Sequence, residues 1–140
     1  MGGHRKISLY NQYARVKQIF SNWDCRILFN NKLVIIGNVQ PTALSENYTI
    51  RIEYGLKHDR PTIEVVSPNL KIHPNWKELP HIFPGDKLCL YHKEFDPHIH
   101  YIADTNIVWV TWWLYFYEIW LVTGEWKGGG IEHSGIHNNS

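Results

Sequence analysis

The chain has 140 residues, 44% of them hydrophobic and 19% charged, which suits one folded domain and excludes a disordered polymer. Fourteen Lys and Arg stand against 13 Asp and Glu, and a formal net charge of +1 gives no electrostatic case for nucleic acid or an anionic membrane as partner. Seven Trp and eight Tyr are unusual, and predict a core or partner surface built from large rings with polar handles.

Ile7–Phe20 places Leu9, Tyr13, Val16 and Phe20 at helical spacing, so an amphipathic helix covering one face is expected, ending at Asn22-Trp23-Asp24. Cys25–Asn30, Leu33–Val39 and Tyr48–Tyr54 then read as strands, with Asn30-Asn31 as a tight turn and Pro41–Glu46 as a looser loop. The third alternates cleanly: Tyr48, Ile50, Ile52 and Tyr54 share one face, and Thr49, Arg51 and Glu53 the other. Thr62–Val66, opened by Pro61 and stopped by Ser67-Pro68, is the fourth. The economical assembly is an α+β architecture in which a four-stranded antiparallel meander carries a helix on its apolar face.

Asn69–Asp86 contains Pro74, Pro80, Pro84 and Gly85 and is expected to be a long ordered loop, a kind of element that is usually functional. It leads directly into Leu88-Cys89-Leu90. His92–Tyr101 is polar and expected to be exposed. Asp104–Thr123 reads as a helix capped by Asp104 or Thr105, stopped at Gly124, and apolar nearly all round, hence a buried central helix. It does not read as a membrane span, because its uncharged stretch before Glu118 is shorter than the ~20 residues a crossing requires. A single domain over residues 1–133 is expected, with a flexible tail at 134–140 and flexibility beginning near Gly124–Gly130.

Two cysteines, Cys25 and Cys89, are too few for a disulfide scaffold, and no signal-peptide pattern follows Met1, so a reduced, cytoplasmic setting is expected. The N-x-S/T matches at Asn47 and Asn138 carry no weight there. Between two leucines, Cys89 reads most simply as a small buried hydrophobe. The alternative is a thiol nucleophile, which needs substrate access and hydrogen-bond donors aimed at a developing oxyanion. The Pro84-Gly85 turn can bring His81, eight residues ahead, back over the thiol. A third reading takes Cys89-x-x-His92-x5-His98-x-His100, with His133 and His137, as zinc ligands of a hydrolase, although the spacing matches no finger or ribbon. Gly128-Gly129-Gly130 lacks the Lys-Ser/Thr of a phosphate loop. No cofactor or metal is expected on the favoured reading.

The order of helix, four-strand meander, long loop, cysteine and crossover helix resembles that of ubiquitin-conjugating enzymes. Their signature is H-P-N, a glycine turn and I/L-C-L, with the asparagine eight residues before the cysteine. Here Pro80 matches the proline, His81 stands at the asparagine, and Leu88-Cys89-Leu90 matches the cysteine triplet. A literal His73-Pro74-Asn75 lies too far ahead of Cys89 and reads as coincidence. Gly85–Tyr91, followed by W-W-L-Y-F-Y-E-I-W-L-V-T-G-E-W-x-G-G-G-I-E-H over Trp112–His133, is similar to the short bacterial members encoded beside cGAS-like nucleotidyltransferases in type II cyclic-oligonucleotide-based anti-phage (CBASS) operons. The resemblance covers roughly residues 8–133. Three departures stand out: Gly85 four residues before Cys89 rather than three, Tyr91 where an acid usually follows C-L, and no room for the C-terminal helix pair.

The resemblance implies a thioester on Cys89, an oxyanion donor in the His81 imidazole, and transfer of a C-terminal glycyl group to a lysine amine. The passenger it implies is the nucleotidyltransferase, and the acyl group is expected from a separate activating enzyme or a pre-activated donor. In conjugating enzymes an acid near the thioester orients the attacking amine. Asp104 could do so, though helix capping explains it equally, and His92, His98 and His100 are the other acceptor-positioning candidates. Asp96 is the remaining nearby acid, and Glu118 is expected to satisfy a buried hydroxyl or indole N–H. The competing reading within the same fold is a non-catalytic binding module whose aromatic helix or tail holds a partner protein.

Overall fold

The computed structural model describes residues 5–83, 85, 87–90 and 95–128. Helix α1 (Leu9–Ile19) begins where Ser8 Oγ accepts the Asn11 N–H at 3.0 Å, a cap that starts it two residues later than the apolar spacing predicts. Ile7 instead donates its N–H to the Pro97 carbonyl. Leu9, Gln12 and Val16 form the buried stripe. At the other end Lys17 Nζ bonds the carbonyls of Ser21 and Trp23 and steers the chain into the sheet.

The sheet is the expected antiparallel meander of β1 (Asp24–Leu28), β2 (Lys32–Val39), β3 (Tyr48–Tyr54) and β4 (Thr62–Ser67), in that spatial order. Tyr48, Ile50, Ile52 and Tyr54 of β3 are buried against the helices, as the alternation predicts. The β1–β2 turn centres on Phe29 and Asn30, both at positive φ, one residue earlier than the Asn30-Asn31 expectation. Packing decides the register: Cys25 opposes Ile35 and Ile27 opposes Leu33, and a slip of one would rotate those side chains out of the core. Leu28 pairs with Lys32, so Phe29, Asn30 and Asn31 make the connection, and the Asn31 N–H donates to the Leu28 carbonyl across the left-handed Phe29-Asn30 pair, whose twist matches the strands it joins. At Gly37 of β2 the Trp23 ring lies where a side chain would be, with Trp23 Cδ2 only 1.9 Å from an ideal Cβ position.

After β4 the chain is laced to the second helix rather than looping freely. Trp76 Nε1 donates to the Gly124 carbonyl at 2.8 Å, and Tyr117 Oη accepts the Lys71 N–H at 2.7 Å. The expected Asn69–Asp86 loop therefore ends in structure, a small hairpin of β5 (Ile82–Phe83) and β6 (Lys87–Leu88). Lys87 Nζ pairs with Glu64 of β4 and ties the hairpin to the sheet edge.

A short 3-10 turn at Ile102–Asp104 precedes α2 (Asn106–Thr123), which Gly124 closes at φ +78°. The expected side-chain cap is absent: the Thr105 hydroxyl bonds the Tyr101 carbonyl, and the Asp104 carboxylate is taken by Arg15. Nor is α2 buried all round. Ile107, Val110, Trp113, Leu114, Tyr117 and Trp120 face the core, whereas Val108, Trp112 and Val122 are 44%, 50% and 82% exposed. Glu118 meets its expectation, accepting from Tyr48 Oη and Ser45 Oγ at 2.7 Å each. No helix among the described residues is long and apolar enough to cross a membrane. The predicted tail at 134–140 lies outside the described residues.

Gly37→Ala should lower stability by about 1–3 kcal/mol through overpacking against Trp23. The specific signature is coupling: measured by urea unfolding, Gly37→Ala should cost much less in a Trp23→Ala background. Additive losses would show that the two positions do not share one space.

Candidate active site

The β5–β6 ladder pairs Ile82 with Leu88 and Phe83 with Lys87, and the next pair in that register is His81 with Cys89. The Cys89 N–H donates to the His81 carbonyl at 2.9 Å and closes it. The spacing of eight residues is thus hairpin geometry: two residues that sit across from each other around a turn. Gly85 takes φ +79° within that turn, a conformation glycine adopts without steric cost. His81 itself sits at φ +51°, where Asn, Asp and His are the most tolerated of the residues with a side chain. This gives histidine a backbone reason to stand where the conjugating-enzyme signature has asparagine.

The same positive φ turns the His81 side chain away from the direction a strand residue would take. Its ring lies 5.1 Å from that of Trp126, which in turn packs 5.5 Å from Trp113 and 6.2 Å from Phe116 of α2. The segment after α2 therefore returns to hold the base of the hairpin.

Cys89 is 4% exposed and lines a cleft of about 220 Å³. Ile63, Phe95 and Trp109 supply apolar wall, and Arg60 and Asn106 supply polar groups. Burial pushes the Cys89 thiol pKa up, and the charge of Arg60 acts against that rise. The guanidinium lies 4.8 Å from the Phe83 ring, a cation–π contact that stations it beside the hairpin. Arg60 and Thr62 also line a wider groove of about 640 Å³ that includes Lys57, His58 and Asp59, so the cleft has an open approach. Cys25 differs: it is buried in β1, its thiol is pushed up to about 11 by desolvation, and it lines no part of this cleft. Both cysteines are free thiols.

Of the residues singled out from sequence, His81 and Cys89 are brought together at the level of the main chain, but His81 does not line the cleft. The acceptor-positioning candidates are placed elsewhere. Asp104 makes a bidentate pair with Arg15 at 2.9 and 3.1 Å, beside a separate depression bordered by Asn11 and Gln18. His98 Nδ1 is 3.1 Å from Asp96 Oδ1 on an exposed turn, where bonds from His98 hold the Asp96 carboxyl below its usual range. His100 accepts the Asp96 N–H at 2.7 Å and packs behind Phe95 and Trp109, one layer back from the cleft. Each has a local partner that accounts for it. His92, like His133 and His137, lies outside the described residues, and among the described residues no three His, Cys, Asp or Glu side chains form a metal-binding group. His73-Pro74-Asn75 is a turn against Trp120 and Gly124, with His73 Nδ1 accepting the Asn75 N–H.

Sequence reasoning missed Arg60, Asn106 and Trp126. None carries a local motif, and they reach the hairpin only because β4, α2 and the segment after α2 converge there.

The family described as type II CBASS E2 protein matches residues 12–134, a span that includes the whole hairpin, and the chain belongs to that family. No curated protein is a significant match to the chain. Membership implies a ubiquitin-conjugating-like role in CBASS.

The electrostatics predict how Cys89 reacts. With its pKa raised, iodoacetamide alkylation should be slow at pH 7 and keep climbing past the pH at which an ordinary thiol levels off, because only the thiolate attacks. Arg60→Gln should shift that rising limb to higher pH. Peptide mass spectrometry over pH 6–10 checks both; a plateau below pH 8.5, or superimposable profiles, would contradict the assignment.

Proposed function

We propose that this type II CBASS E2 protein carries an acyl group as a thioester on Cys89 and passes it to a lysine amine of an acceptor. The observation that carries the reading is the position of Cys89: unlike Cys25, it lines the cleft described above, on a hairpin spaced as in ubiquitin-conjugating enzymes, within a family of conjugating-type proteins. The incoming group is the C-terminal glycyl carboxyl of a protein, and the passenger we assign is the cGAS-like nucleotidyltransferase of the same anti-phage system. Its conjugation would regulate cyclic-nucleotide signalling.

Loading exchanges one thioester for another. The Cys89 thiolate attacks the carbonyl carbon of a thioester held by a separate activating protein, the carbonyl electrons move to oxygen, and collapse of the tetrahedral species expels the donor thiolate, which takes up the proton. Discharge repeats the sequence with a lysine amine as nucleophile and Cys89 as leaving group. Arg60 favours both the attacking thiolate and the departing one. The cleft admits one narrow acyl chain at a time, and the wider groove past Arg60 and Thr62 gives the passenger's extended tail a path to the thiol. His81 holds the reacting residue through its carbonyl bond to the Cys89 N–H, with its ring fixed against Trp126.

The second reading, a non-catalytic binding module, has an observation of its own. Val108, Trp112 and Val122 leave an apolar stripe on the outer side of α2. The two readings separate on the cysteine.

With the operon's proteins co-expressed, Cys89→Ala should abolish conjugates of the nucleotidyltransferase seen by mass spectrometry, while Cys25→Ser should leave them. Cys89→Ser should trap a stable ester with the passenger's C-terminus. Conjugates that persist in Cys89→Ala would sink the thioester reading and favour the module.

A further inference from the structure

We infer that Asn106, the first residue of α2, is the side-chain amide that binds the acyl oxygen at Cys89, a part the resemblance would give to His81. The inference rests on the thioester reading above. It starts from an anomaly of burial: Asn106 is 4% exposed, one of three polar residues buried in the described chain, with Gln12 and His81. Gln12 explains itself, since its Nε2 donates to the His100 carbonyl and its Oε1 accepts the Ile102 N–H, clipping α1 to the turn before α2. Asn106 has no such arrangement. Its only side-chain hydrogen bond among the described residues joins Oδ1 to Thr105 Oγ1 at 3.2 Å, which leaves the two amide N–H donors unused.

The amide nitrogen is not among the enclosed polar atoms that lack a partner, so its donors keep access to the cleft and can take an acceptor that arrives there. Asn106 lines the cleft that Cys89 lines, beside Trp109 and Phe95. The amino end of α2 has no side-chain cap, so the positive end of its dipole adds to the same region. A carbonyl oxygen seated on Cys89 would bring the missing acceptor. During attack the carbonyl π electrons collect on that oxygen, the Asn106 Nδ2–H donates to it, and the bond relaxes when the donor thiolate leaves and the carbonyl re-forms. No proton is transferred by Asn106, and the step needs no reagent beyond the thioester donor. His81 is anchored instead by its main-chain bond to Cys89 and its ring contact with Trp126, and it does not line the cleft.

The test uses the full chain and a probe that bypasses the passenger: a synthetic peptide ending in glycine, supplied as a mercaptoethanesulfonate thioester. Intact-mass kinetics follow acylation of Cys89, and iodoacetamide alkylation of the same thiol, which forms no oxyanion, reports its accessibility. Asn106→Asp, which keeps the shape and removes the donors, should slow acylation about 10²-fold or more while alkylation changes no more than about threefold. Asn106→Ala should behave alike, which separates loss of the donor from the charge introduced by Asp. Acylation at the wild-type rate in either variant, or equal loss of acylation and alkylation, overturns the inference while leaving the thioester reading intact. A wild-type protein that takes no acyl group on Cys89 removes the reading and the inference together.

Discussion

The bond from the Cys89 N–H to the His81 carbonyl is the constraint that the candidate site depends on. It fixes the end of a ladder only two pairs long, and so determines where a thiol stands relative to everything packed around the hairpin. A two-stranded hairpin of this length has no independent stability in water. It is held from three directions: Lys87 to Glu64 on β4, Arg60 over Phe83, and His81 against Trp126. The left-handed backbone at His81 costs about 1 kcal/mol, and those external contacts are what make it sustainable.

Behind the hairpin, α2 does two jobs with one run of rings. Trp113, Tyr117 and Trp120 fill the core, and their neighbours on the helix reach outward to whatever crosses it. Trp120 takes Trp76 of the long loop at 5.4 Å and Trp113 takes Trp126 at 5.5 Å. Large rings suit this because each covers wide apolar area with few rotatable bonds, and their N–H and O–H groups can reach loop backbone, as Trp76 does to Gly124 and Tyr117 does to Lys71. The aromatic excess noted from composition therefore acts as the fastening of irregular chain segments that have no ladder of their own.

The same physics explains which parts were legible in the sequence. Helix α1 and strand β3 follow from periodicity, because one face of each must be buried, whereas β1, β2 and β4 follow from strand-forming composition between turn signals and α2 from a long apolar run stopped at Gly124. The pairing of Cys89 with His81 was legible because hairpin partners keep a fixed separation along the chain. What surrounds them was not. Arg60 precedes a strand and Asn106 opens a helix, and neither position announces that β4 and α2 meet at the same cleft. For Asp104, His98 and His100 it was the local partners that the sequence did not reveal. Their chemistry suits an acceptor-positioning role, but Arg15, Asp96 and the Phe95–Trp109 pair claim them, and those partners come from other elements or from turns whose shape periodicity does not encode.

Burial of the thiol bears on direction as well as rate. A cleft with apolar walls opposes the Cys89 thiolate but not a neutral thioester, so desolvation works against the free nucleophile and leaves the acylated form nearly untouched. On the proposed thioester reading, a donor thiol of ordinary pKa is the better leaving group, which favours transfer toward Cys89. On that reading the carried group is also slow to leave, since a thiolate of raised pKa departs reluctantly. Low leakage to water and slow discharge are what a carrier requires between loading and acceptor arrival. Release would then depend, on the same reading, on groups that act in the transition state, namely the proposed Arg60 charge on the departing sulfur and the proposed amide donors of Asn106 on the oxygen. Both line the cleft from elements outside the hairpin, so the stored thioester and the means of discharging it are set by different parts of the fold.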